Sequence, residues 1–174
     1  MGWGTLLPIG VIISRYFRKF PLKSDEWLPL HVLCQTSGYI VGTIGWGIGL
    51  WLGNSSKHYN TPKTHRILGI LVFTFATVQM LTTTILLQAR REDEWRRCWE
   101  IYHHVLGYAV IGLSAAEIFQ GIMHQSHAGK WRLAYVGILA VLVFVAFALE
   151  IVRWIIKSRI QQHLPFDNNL YNHT

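Results

Sequence analysis

The sequence predicts an all-α membrane protein, a bundle of four full transmembrane helices and a shortened N-terminal helix. Four apolar runs are long enough to cross a bilayer, which takes about 20 residues of α-helix. Hydrophobic residues make up 51% of the 174 residues and charged residues only 14%. The net charge of +7 gathers in the short loops between the runs, as in membrane proteins, and this distribution argues against nucleic-acid binding.

The first helix is the short one. The apolar stretch 3–14 has twelve residues, which rise about 18 Å against about 30 Å of hydrocarbon. The stretch lacks the basic segment and the small-residue cleavage site of a signal peptide. We interpret it as the last part of a membrane helix whose beginning is missing.

The second helix is predicted over residues 27–52. His31 lies near its start. Two pairs of glycines four residues apart follow it, Gly38 with Gly42 and Gly45 with Gly49. Small residues at this spacing let two helices approach closely, or they leave room for a flat cofactor. The sequence leaves both interpretations open.

Three more helices are predicted over residues 65–87, 98–122 and 131–156. The third opens with HRILG (65–69), and HHVLG (103–107) stands near the start of the fourth. Each motif places a histidine four residues before a glycine, and we find no other internal repeat. Residues 1–157 are expected to form one transmembrane domain, and residues 158–174 a polar, disordered cytosolic tail.

The orientation follows from the sixteen basic residues, because positively charged loops stay in the cytosol. Eleven lie at one end of the predicted bundle: Arg15, Arg18, Lys19, Lys23, Arg90, Arg91, Arg96, Arg97, Arg153, Lys157 and Arg159. Five lie at the other: Lys57, Lys63, Arg66, Lys130 and Arg132. The first end is predicted to be cytosolic. His31, His103 and His104 then lie near the cytosolic face, and His65 near the opposite face.

Histidines at membrane depth are candidate functional residues, because an ionisable group there is costly. Two neutral imidazoles facing each other across a gap between helices are the ligand set of a six-coordinate haem b, which carries electrons and has no open site for oxygen. His31 and one of His103 or His104 lie at matching depth on different helices. An ordinary interfacial role is the alternative for each of them.

The remaining histidines and the cysteines point to no second type of site. Five histidines lie in predicted loops or in the tail and are interpreted as solvated: His58, His124, His127, His163 and His173. The two cysteines, Cys34 and Cys98, lie at or inside membrane segments, which disfavours a disulfide. The sequence has no CxxCH motif for covalent haem and no CxxC pairs for zinc.

Three stretches carry a resemblance to a known family: LHVLCQTSGYIVGTIGWGIGLWLG (30–53), THRILGILVFTFATVQ (64–79) and YHHVLGYAVI (102–111). They resemble the membrane part of plant cytochrome b561 proteins that often carry a DOMON domain. The resemblance implies a five-helix bundle with two haem b groups, one near each face, which passes electrons across the plasma membrane or an endomembrane. It also implies ascorbate as the cytosolic donor, and monodehydroascorbate or a ferric chelate as the acceptor.

Carried over by position, the resemblance implies that His31 and His103 ligate the cytosolic haem and that His65 ligates the outer one. We prefer His103 to His104 because its spacing to the following glycine then matches that of His65 and Gly69. His104 is kept as the alternative ligand.

The outer haem site departs from the family pattern. The fourth family ligand is a histidine several residues before the tryptophan that matches Trp3, at a position that would precede Met1. We therefore expect a truncated member without a DOMON domain, with one haem on the cytosolic side and an incomplete outer site around His65. Arg66 lies beside that site, where haem propionates or an anionic substrate would require a cation. An ordinary flanking charge is the alternative for Arg66.

Two other functions remain open at this point. A truncated, non-catalytic homologue would act as a membrane assembly partner, packing with intact relatives through the glycine-rich second helix; a homodimer is a related expectation. A small channel or transporter is the weaker alternative, because no pair of broken helices is evident. The sequence favours an oxidoreductase-type electron carrier.

Overall fold

The computed structural model describes residues 2–18, 26–55, 63–88, 93–123 and 129–163, and all regular structure in these ranges is α-helical. Five helices follow one another along the chain: α1 (Gly2–Tyr16), α2 (Trp27–Ser55), α3 (Lys63–Gln88), α4 (Asp93–Met123) and α5 (Gly129–His163). The predicted all-α architecture and the number and order of its helices are confirmed.

The helices are longer than the sequence predicted, mainly at the start of α4 and the end of α5. α4 begins at Asp93, five residues before position 98, and α5 continues to His163, seven residues past position 156. The expected disorder of the tail is therefore wrong for residues 158–163. This stretch reads SRIQQH, and Arg and Gln are good helix formers that extend a helix already nucleated inside the membrane. The rest of the tail lies outside the described residues.

Three of the described helices are long and apolar enough to cross a membrane, over Lys63–Ile85, Arg97–Met123 and Gly129–Arg159. α2 has 29 residues and is also long enough, but its glycines and aromatic residues lower its mean hydropathy. α1 has 15 residues, which rise about 22 Å. It is the shortened N-terminal helix that the sequence predicted.

Most large apolar side chains face outward, as expected when the surrounding solvent is lipid. Phe144 is 72% exposed and Trp154 is 70% exposed. Among the described residues Tyr135 of α5 is fully buried, and one buried hydrophobic cluster joins α1, α3 and α4. Its members are Trp3, Leu7, Val72, Ala76 and Val110. A water-soluble protein would not leave an apolar surface of this extent uncovered.

The glycines of α2 have two different surroundings. A Cβ at Gly42 would overlap the indole of Trp3, and one at Gly38 would lie 2.9 Å from Leu7. These two glycines therefore let α1 pack closely on α2. Gly45 and Gly49 have no atom within 4 Å of such a Cβ, and both line a cavity.

The helices alternate in direction, so that histidines far apart in the sequence meet at the ends of the bundle. Gly2 packs on Gly42 and Gly10 on Cys34, which makes α1 antiparallel to α2. We call the end with the starts of α2 and α4 the inner end, since the basic residues predict that it is cytosolic. At this end Arg15 of α1 pairs with Glu150 of α5 over 3.2 Å. The opposite end, with the starts of α3 and α5, is the outer end.

Candidate functional site

His31 of α2 and His103 of α4 lie side by side at the inner end. The centroids of their rings are 6.2 Å apart and the ring planes are inclined by 67°. In the described part of the chain, α2 and α4 have no Cα atoms within 8 Å of each other. The two half-buried rings therefore meet across a gap between helices, where the sequence predicted a cofactor.

The His31 ring is held from α1. Its Nδ1 lies 2.7 Å from the carbonyl oxygen of Gly10. A carbonyl oxygen only accepts, so Nδ1 donates its proton and Nε2 carries the lone pair. This is the tautomer of a histidine that ligates a metal through Nε2, whose other nitrogen usually donates to a carbonyl or a carboxylate.

The His103 ring is held from α3 by Gln79. The amide nitrogen Nε2 of Gln79 lies 2.8 Å from Nδ1 of His103 and donates to the carbonyl oxygen of the same residue over 2.9 Å. The amide oxygen Oε1 of Gln79 is buried without a hydrogen-bond partner in the described structure. Gln79 thus reaches both the ring and the backbone of His103.

Trp99 covers His103 on the side toward the inner surface. It lies one turn earlier in α4, and its ring stacks on that of His103 with centroids 5.1 Å apart and planes inclined by 27°. The indole nitrogen of Trp99 is buried and has no hydrogen-bond partner among the described residues. The inner site therefore has an aromatic cover with one unused donor.

His104 lies beside His103 but is hydrogen-bonded to its own helix. Its Nδ1 lies 2.6 Å from the carbonyl oxygen of Glu100 in its own helix, and its side chain is exposed. Its ring centroid is 6.0 Å from that of His103, with the planes almost perpendicular at 88°. Of the two adjacent histidines, His103 is the one placed beside His31.

His65 lies at the outer end and contacts α4. Its Nδ1 lies 3.0 Å from the carbonyl oxygen of Glu117, and its Nε2 lies 3.7 Å from the carboxylate oxygen Oε1 of the same residue. The carbonyl again identifies Nδ1 as the donor. The other histidines with described side chains, His31, His103 and His104, lie at the inner end.

A cavity of about 420 Å³ opens beside His65 between α2, α3 and α4. Arg66 and Glu117 supply its charged groups, and Gly45 and Gly49 form part of its wall. Trp46 also lines it and stacks on Phe73, with ring centroids 4.1 Å apart. The volume falls in the range of small-molecule sites, about 300–1,000 Å³. The exposed Arg66 also lies at this cavity.

The contacts of Gln79 and Glu117 with the histidines were not predicted from the sequence. Sequence reasoning assigned no role to Gln79 and no partner to Glu117, because both contacts depend on the register of α3 against α4. Only the polarity of these residues inside apolar helices is evident from the sequence. In the described part of the chain, no three His, Cys, Asp or Glu side chains are grouped to hold a bare metal ion. His58, His124, His127 and His173 lie outside the described residues.

Comparison with known proteins identifies the family. The family model of the eukaryotic cytochrome b561 matches residues 5–129. The chain belongs to the cytochrome b561 family. Two cytochrome b561 and DOMON domain-containing proteins of Arabidopsis thaliana are each 40% identical to it, over 161 and 159 residues. These matches cover 91% of this chain in both cases, but only 39% and 38% of the two relatives. No solved structure matches the chain.

Family membership confirms the resemblance that the sequence motifs carried. Together with the three membrane-capable helices, it makes the chain a multi-pass integral membrane protein. The cytochrome b561 family name fits electron transport by a haem group. The chain spans about two-fifths of the length of the relatives it matches, so the comparison concerns the cytochrome b561 part of those proteins.

Proposed function

We propose that the chain is a transmembrane electron carrier that holds one haem b at its inner end through His31 and His103. The observation that carries the proposal is the approach of these two rings across the gap between α2 and α4, at 6.2 Å between centroids. Bis-histidine ligation requires two imidazoles from separate elements at the same depth, and this pair meets that requirement.

The separation of the rings supports this ligand set. A metal–imidazole bond is about 2 Å long and a ring centroid lies about 1 Å behind its nitrogen, so two imidazoles on opposite faces of one metal have centroids about 6 Å apart. His31 already has the tautomer that leaves Nε2 available, because its Nδ1 faces the Gly10 carbonyl. The ring separation and this tautomer support a bis-histidine haem at this pair.

When bound, haem b would supply a one-electron redox centre without an open site for oxygen. The chain itself would provide two imidazoles to hold the group, the fixed orientation of each ring and an aromatic cover. Gly10 and Gln79 orient the two histidines, and Trp99 shields His103. The apolar faces of the surrounding helices would keep water from the centre and so set its polarity.

At the two faces we propose the reactants that the family resemblance implies. Ascorbate would donate one electron at the cytosolic face, and monodehydroascorbate or a ferric chelate would accept it at the other. His65 and Arg66 would serve the outer site, where Arg66 is the cation for an anionic acceptor. Glu117, rather than a second histidine, is the side chain described beside His65.

The test is the haem content of the purified protein, with absorption spectra of its reduced and oxidised forms. The wild type should carry about one low-spin haem b per chain, and His31→Ala should lose the low-spin spectrum. His65→Ala is the matched control at the outer end and should keep it. An unchanged spectrum in His31→Ala would sink the assignment.

A role as a membrane assembly partner is the second candidate, and the open stretch of α2 favours it. Gly45, Gly47 and Gly49 have no atom within 4 Å of an added Cβ, so another helix could approach them closely. This role predicts substoichiometric haem in the chain expressed alone, and its restoration by co-expression with an intact relative. Full haem occupancy of the chain alone would contradict it.

A further inference from the structure

α3 and α4 share more than the two short motifs HRILG and HHVLG. Fourteen residues after His65 comes Gln79, and fourteen residues after His103 comes Glu117. Both are long polar side chains inside apolar helices. Fourteen residues are close to four helical turns and span about 21 Å. Each helix therefore carries a histidine and a polar residue on one face, near opposite ends of its membrane segment.

The contacts between the helices cross, because each polar residue touches the histidine of the other helix. Gln79 of α3 contacts the ring and the carbonyl of His103 at 2.8 and 2.9 Å. Glu117 of α4 contacts His65 through its carbonyl at 3.0 Å and its carboxylate at 3.7 Å. α3 and α4 run antiparallel, and in each the polar residue follows the histidine by fourteen positions. The histidine of one helix therefore lies beside the polar residue of the other at both ends, and the two contacts form a pseudo-symmetric pair.

The glycine of each motif belongs to the same arrangement. A Cβ at Gly107 would lie 3.6 Å from the amide nitrogen of Gln79, and a Cβ at Gly69 would lie 3.7 Å from Oε1 of Glu117. Each glycine, one turn after its histidine, thus leaves room for the polar head that reaches across. The repeat is histidine, glycine four residues later, and glutamine or glutamate ten residues after that.

We propose that Gln79 and Glu117 are positioning residues at corresponding places in the repeat, each fixing the histidine of the other helix. For Gln79 this rests on the proposed function, because His103 must present Nε2 to the iron and then carries its proton on Nδ1. The Gln79 oxygen can accept a hydrogen bond from that N–H, and it has no partner in the described structure. A half-turn of the amide brings the oxygen to Nδ1 in exchange for the present bond to the His103 carbonyl. On His65 the backbone carbonyl of Glu117 accepts from Nδ1, and the Glu117 carboxylate lies 3.7 Å from Nε2.

The test compares Gln79→Glu and Gln79→Ala with the wild type in the haem-loaded protein. Gln79→Glu places a negative charge against His103 and should lower the midpoint potential while the spectrum stays low-spin, because the charge stabilises ferric iron. Gln79→Ala frees the ring and should shift the low-spin electron paramagnetic resonance signal. Thr84→Ala is the control, since that hydroxyl bonds the Met80 carbonyl of its own helix. Wild-type potential and signal in both Gln79 variants would overturn the proposal.

A second measurement separates this proposal from the haem assignment. Nitrogen-15 spectra of histidine-labelled protein without haem report the state of each ring, and the His103 signal is identified by its absence in His103→Ala. Gln79→Ala should move the His103 signal, and Glu117→Gln should move that of His65 and leave His103 unchanged. If the wild type binds no haem but these shifts occur, the haem assignment fails and the pairing stands. If haem binds and neither shift occurs, the pairing fails.

Discussion

His103 and His104 are neighbours in sequence but have different surroundings. Successive residues of an α-helix point about 100° apart, so only one of the two can face α2. His103 meets His31 at 6.2 Å between ring centroids, and His104 bonds the backbone of its own helix. The sequence favours His103 by its spacing to Gly107, and the choice of His103 as the ligand stays a prediction.

Alanine substitutions of His103 and His104 test which of the two is the haem ligand. His103→Ala should abolish the low-spin haem spectrum, because it removes one of the two proposed axial nitrogens. His104→Ala should keep both the spectrum and the haem content, because the His104 ring bonds the Glu100 carbonyl and leaves His31 and His103 in place. The measurement is the reduced-minus-oxidised spectrum at equal protein concentration. The opposite pattern would identify His104 as the ligand.

The partners of the histidines could not be predicted from the sequence in the same way. Gln79 ends the stretch THRILGILVFTFATVQ and looks like an ordinary polar residue within an apolar helix. Its contact with His103 depends on the register of α3 against α4, which one sequence does not give. Gln79 follows His65 by fourteen residues, and Glu117 follows His103 by the same number. This equal spacing predicts the contacts only when α3 and α4 are known to pack antiparallel.

At the scale of the element, the sequence predicted five helices because apolar runs of sufficient length dominate it. Helix ends were less predictable, because polar residues outside the membrane still form helix when they continue an existing one. The glycines of α2 show the same limit. Their spacing indicated a close approach of some kind, but only the packed structure assigns Gly38 and Gly42 to α1, and Gly45 and Gly49 to the cavity.

Two glycines of the same helix provide a matched comparison. Gly42→Ala should destabilise the protein by about 1–3 kcal/mol, the usual cost of overpacking, because its Cβ would overlap the Trp3 indole. Gly47→Ala should be neutral or stabilising, since that Cβ meets nothing within 4 Å and alanine is the better helix former. Thermal unfolding in detergent measures both. A melting temperature for Gly42→Ala at or above that of Gly47→Ala would refute the α1–α2 contact.

At the scale of the whole molecule, the alternating helices place His31 and His103 at one end and His65 at the other. The sequence predicts which end faces the cytosol from the eleven basic residues there. In the described structure, Cys34 and the exposed Cys98 lie at the inner end, in α2 and α4. Lys130 is exposed at the start of α5, at the outer end. These positions make the orientation testable by chemical labelling.

A membrane-impermeant maleimide applied to intact cells should leave Cys98 unmodified, because positively charged ends remain in the cytosol. Cys34→Ser removes the second thiol, and permeabilisation should then expose Cys98 to the reagent. The matched control is Lys130→Cys in a variant without the two native thiols, which should be labelled from outside in intact cells. Labelling of Cys98 in intact cells would reverse the orientation. It would place the His31 and His103 pair on the non-cytosolic side and exclude a cytosolic ascorbate as its direct donor.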